Sequence, residues 1–194
     1  MEKIIPGQDE TISVVSEYLD ERAIPNPPRA LDNVHKEIAR QADLGWKMYL
    51  ISLDLIKNYS QKDEKKLFYL GMIVNNIKTE IVQYLWKISE QNLSTLLSKK
   101  VFSYTAMAND IERIGRHVLS ISELAKQKNQ RKIKFSLCGE NELAEIIHLV
   151  TENYTDTLSI IRKPDSNKYF DVIRREEEVD EKVKEAHDNH LERF

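Results

Sequence analysis

Apolar residues recur every three or four positions through long stretches of this chain, a period that a helix satisfies and a strand does not. Leu31, Val34, Ile38, Ala42, Gly45, Tyr49, Ser52, Ile56 and Tyr59 mark one face of a first long helix, which "NYSQKD" interrupts. Leu67, Leu70, Val74, Ile77, Ile81, Tyr84 and Ile88 mark a second. A third runs through Leu97, Val101, Tyr104, Ala108, Ile111, Gly115, Val118 and Ser122. Short breaks between long amphipathic helices make neighbours antiparallel, so residues 29–130 read as an up-down-up three-helix bundle.

Residues 1–28 stand apart. "AIPNPPRALD" places three prolines in four positions, which forbids continuous helix and favours an extended linker, so this segment reads as an N-terminal arm joined to the bundle by a proline-rich tether. Beyond the basic "KQKNQRKIK", Leu143, Ile147, Val150, Tyr154 and Ile161 predict a fourth helix that stops at Pro164. Asp165 or Ser166 caps a fifth, from about Lys168 towards Phe194, with Val172, Val179, Val183 and Ala186 on its apolar face. Residues 131–194 therefore read as the first two helices of a second bundle cut off before its third. Two apolar stripes without a third partner predict self-association, or a segment taken from a longer chain.

Composition narrows the function. With 41% hydrophobic and 31% charged residues and only five glycines and five prolines, the chain is helix-rich and ordered rather than disordered or all-β. A net charge of -3 argues against nucleic acid as the main partner. The single cysteine, Cys138, forms no internal disulfide and fits a reducing compartment. No apolar run approaches the roughly 20 residues that span a bilayer, and the N-terminus lacks the pattern of a signal peptide.

Catalytic constellations are thin. Nothing resembles a Gly-x-Ser-x-Gly elbow or a glycine-rich phosphate loop, and Glu145 with His148 is a single Glu-x-x-His where a di-iron bundle needs two. His187 and His190 share a helix face, but packing at the edge of the apolar stripe is preferred over ligation. Trp46 and Trp86 lie within helices and are expected to contribute core area rather than to anchor a partner. Glu176 and Asp180, four apart in "REEEVDEKV", could share a cation, against the plainer reading of a solvated charged surface.

"NDIERIGRH" resembles the signature of the PhoU family of phosphate-uptake regulators, and it is carried here by Asn109, Asp110, Glu112, Arg113, Gly115 and His117. "SEYLDERAIPNPPRALDNVHKEI" is similar to the stretch that joins the membrane part of bacterial sodium-dependent phosphate cotransporters to a PhoU-like cytoplasmic tail, and "QYLWKIS" and "EEVDEKVKEAHDNHLERF" resemble the same tail. The resemblance implies tandem three-helix bundles whose acidic Glu/Asp-x-x-x-Asp motifs can hold iron or zinc. Here Gly71 and Asn75 stand where the family has acidic residues, and Arg116 follows Glu112 where a second carboxylate belongs. A permanent cation beside a would-be dication opposes its binding, so no cofactor is expected in the first bundle, and Glu112 and Arg116 are expected to form an i,i+4 pair instead. Gly115 is expected to admit a neighbouring helix closely. Glu176 and Asp180 keep the motif as half a site.

The expectation is thus an all-α, PhoU-like antiparallel bundle and a non-catalytic regulatory domain of a sodium/phosphate cotransporter. It would sit in the cytoplasm on the inner face of the membrane, with the transporter's transmembrane part or a second copy as partner. The alternatives are a free-standing PhoU-type signalling adaptor and, more remotely, a metal-dependent bundle enzyme.

Overall fold

The computed structural model describes residues 12–193; the first part of the expected arm and Phe194 lie outside them. As expected, the chain is all-α, with five helices and no strand among the described residues: α1 (Pro27–Lys57), α2 (Gln61–Ser89), α3 (Thr95–Gln130), α4 (Leu137–Arg162) and α5 (Ser166–Glu192). It divides into two compact units, one ending at Asn129 and the other beginning at Gln130.

In the first unit each helix begins where a side chain replaces a missing helical acceptor. Asn26 caps α1 by accepting from the Arg29 N–H, and Ser60 caps α2 by accepting from that of Asp63. Pro27 and Pro28 are not linker, as the proline spacing suggested, but the first turn of α1, where a proline sacrifices no hydrogen bond. The expected stripes face inward: Leu31, Val34, Ile38, Leu67, Leu70, Val74, Ile77, Ile81 and Ile88 are buried. Each such side chain contributes about 1.5–3 kcal/mol relative to leaving it in water. α1 buries more than one stripe, adding Ala30, Glu37, Gln41, Leu44, Met48 and Leu55, because α2, α3 and the N-terminal segment all pack on it.

Pairings between helices set the direction of each. Gln41 of α1 reaches Val74 of α2 and Ala108 of α3, His35 stacks on Tyr104 at 5.9 Å, and Lys128 donates to the Ile56 carbonyl. Numbers rise together in α1 and α3, so these two are parallel. Lys126 pairs with Glu64 and a Cβ on Gly71 would touch Leu119, so α2 runs antiparallel to α3.

Trp86 departs from its expected core place and is 69% exposed. It lies about 100° round α2 from Leu85 and about 160° from Ile88, both of which fill the interior.

The second unit is a hairpin of α4 and α5, capped by Ser136 and Asp165. Its seam is polar. Val172, Val179 and Ala186 alternate with Arg175, Lys182 and Asn189 on the face of α5 toward α4, and no residue of α5 is fully buried. Arg175 meets Asn153 and Asp156, Lys182 meets Glu145, and Asn189 and Arg193 meet Glu142. Two sequence expectations fail for one reason. Val183 and His190 each sit one position beyond a seam residue, about 100° round the helix, and both are exposed; His187 is exposed as well.

Candidate functional site

The richest arrangement of polar chemistry lies where the segment before α1, expected from its prolines to be a tether, crosses α1 and α2. Glu37 is fully buried. Its Oε2 accepts the backbone N–H of Glu17 and of Tyr18, both at 3.0 Å, and its Oε1 accepts from Arg40 Nε at 2.8 Å. Arg40 uses its remaining nitrogens on the Val15 carbonyl at 2.9 Å, the Ser13 carbonyl at 3.4 Å and the Glu17 carboxylate at 3.3 Å.

α2 supplies the other wall from one face, at positions four apart. Asn76 Nδ2 donates to the Val14 carbonyl at 2.8 Å, Glu80 Oε2 accepts the Ser16 N–H at 2.6 Å, and Tyr84 donates its hydroxyl to the Asp20 carbonyl at 2.6 Å. Lys87 pairs with Glu21. Desolvation raises the Tyr84 pKa above the ordinary phenol value, which keeps it a donor. Side chains of two helices therefore hold the main chain of Ser13 to Tyr18, and of Asp20, as a strap. A strap with no regular structure must find partners for its buried N–H and C=O groups, and these residues provide them. A 3-10 turn at Glu21–Ala23, capped by Asp20, then leads into α1.

The signature residues occupy a different place. On α3, Gly115 is buried, Glu112 is partly covered, and Asn109, Asp110, Arg113 and His117 are exposed. Arg116 Nε donates to Glu112 at 2.9 Å in the expected i,i+4 pair, and Arg113 pairs with Asp110 at 3.4 Å. The close helix approach expected at Gly115 is found at Gly71 instead. A Cβ on Gly71 would come within 3.0 Å of Leu119 and 3.4 Å of the Met48 methyl, whereas one on Gly115 would meet its nearest atom, again the Met48 methyl, at 3.6 Å. Met48 thus fills the space between the two glycines.

This donor set does not suit the metal cluster that the resemblance implies. Glu112 already holds a guanidinium, Gly71 brings no oxygen, and Glu176 and Asp180 are exposed on α5, away from the seam with α4. Among the described residues no three His, Cys, Asp or Glu side chains gather at ligand spacing.

Gln41 is a second buried polar residue on α1. Fully buried, it donates to the Val74 carbonyl at 3.3 Å and the Ala108 carbonyl at 3.1 Å, while its Oε1 has no partner among the described residues. The available signal is a glutamate and a glutamine within the otherwise apolar series Val34, Glu37, Gln41, Leu44 and Met48, whose steps are three, four, three and four residues.

Compared with known protein families, residues 38–125 match the PhoU domain. The chain matches no curated protein and no solved structure. The matched span runs from the first half of α1 to the last turns of α3, and so covers the three helices that Gln41 ties together.

Proposed function

With a PhoU domain at residues 38–125 as the premise, we propose that this chain is the non-catalytic regulatory domain of a sodium/phosphate cotransporter, held at the cytoplasmic face of the membrane and acting on phosphate uptake by protein contact. PhoU domains are regulatory rather than catalytic, and the domain itself ties the chain to phosphate-related regulation. The observation that carries the finer reading is the strap. Its sequence resembles the segment that joins such transporters to their tails, and its main chain from Ser13 to Tyr18 is clamped by α1 and α2. A displacement arriving from upstream would pass directly into the two helices.

Regulation of this kind needs the domain to contact two transporter states unequally, since a domain that binds both equally shifts nothing. No helix among the described residues is long and apolar enough to cross a membrane, so anchoring falls to a partner or to covalent linkage. A second reading, a free-standing adaptor, is favoured by the way the strap completes the unit's own fold. An immunoblot of fractionated source cells separates the two. A band in the membrane fraction, much heavier than this chain alone, is the expected result. A band at the mass of this chain, confined to the soluble fraction, would overturn the transporter reading.

A further inference from the structure

The outer face of α2 is unusual for a chain in which 31% of residues are charged. Phe68, Met72, Asn75, Thr79, Gln83 and Trp86 follow one another at spacings of four, three, four, four and three, all exposed and none charged. Phe68 is 57%, Met72 66% and Trp86 69% exposed. On an ideal helix this stripe extends for about 27 Å. Lys65 prolongs it at one end and Glu90 at the other, both exposed.

The order of residues along the stripe identifies what covers it. About a two-fold axis passing between Asn75 and Thr79, the stripe is complementary to itself in the antiparallel sense. Phe68 falls opposite Trp86 of the second copy, Met72 opposite Gln83, Asn75 opposite Thr79, and Lys65 opposite Glu90. Large apolar groups then meet at both ends, polar groups meet at the centre, and each end closes on an ion pair of opposite sign. The parallel arrangement would set Lys65 against Lys65 and Glu90 against Glu90. Isologous contacts of this kind, in which residue i meets j and j meets i, are the commonest way two identical chains associate. Exposed aromatic and methionine side chains are also the types that dominate such contacts.

We infer that the outer face of α2, from Lys65 to Glu90, is an antiparallel interface between two copies of this chain. It is separate from the strap, which lies on the Asn76, Glu80 and Tyr84 side of the same helix. It is also separate from the α4–α5 hairpin, whose apolar stripes were the sequence-based grounds for self-association.

Sedimentation equilibrium of the full chain over a concentration series tests it. A reversible dimer is expected, with Phe68→Glu or Trp86→Gln raising its Kd by at least about tenfold, the scale of losing a buried aromatic contact. Lys65→Glu should raise the Kd by about two- to fivefold, as for an exposed ion pair, and adding Glu90→Lys should restore it. All four positions are exposed, and circular dichroism of each variant checks that the helices remain. A monomer throughout the series overturns the inference, as does a dimer that survives Phe68→Glu and Trp86→Gln but is lost on Val183→Glu in α5.

Discussion

Glu37 is a carboxylate without access to water, and its neighbours explain why the fold tolerates it. Arg40 neutralises it and two strap N–H groups occupy its second oxygen. Removing Glu37 takes away the buried partner of Arg40, leaving it only the more exposed Glu17, and strands two strap N–H groups, which costs up to about 3–5 kcal/mol, more than an exposed pair is worth. Glu37→Ala is therefore expected to destabilise the first unit by that amount and to free the strap. Hydrogen exchange at the Glu17 and Tyr18 amides reads the second effect, and unchanged protection in a folded variant would contradict it. The two glycines make an opposing pair of expectations. Gly115→Ala adds a methyl at ordinary contact distance and removes a helix-propensity penalty, so it should stabilise by up to about 1 kcal/mol. Gly71→Ala forces Leu119 aside and should show no such gain. Thermal unfolding of the two variants decides; equal gains would contradict the packing described around Met48.

Among the elements, the helices and their inward faces were legible because burial imposes a period that Leu31, Val34 and Ile38, or Ile77, Ile81 and Ile88, display without interruption. The strap was not legible, because its contacts run through the main chain and leave no pattern in the residues between Ser13 and Asp20. The polar seam of α5 misled for a related reason. Val179, Val183 and Ala186 look like one stripe, but Arg175, Lys182 and Asn189 take the inward positions and Val183 is displaced outward. That seam predicts a pH response. Arg193, then Asn189, hold the Glu142 pKa below the ordinary carboxylate value. A depressed folded-state pKa means that the contribution is present above the unfolded-state value and lost as pH falls through the folded one. The far end of the hairpin should consequently loosen in acid. Arg193→Ala should return the Glu142 titration, followed by carboxyl NMR, towards the ordinary range near 4.3. Titration at the same low value in the variant would contradict the assignment.

At the scale of the whole molecule, three helices are locked by Gln41, a strap is locked onto two of them by Glu37 and Arg40, and a separate hairpin follows. The signature residues from Asn109 to His117 were legible as a family mark, although Glu112 and Arg116 satisfy each other and leave no evident reaction centre. On the function proposed above the chain needs no such centre, but rigid surfaces and a mechanical connection. The measurement that tests this most directly is sodium-dependent uptake of radiolabelled phosphate by source cells carrying Glu37→Ala or a deletion of the segment encoding this chain, with transporter abundance in the membrane held equal. Both changes should alter the uptake rate, and in the same direction. Uptake identical to wild type in both strains would contradict it.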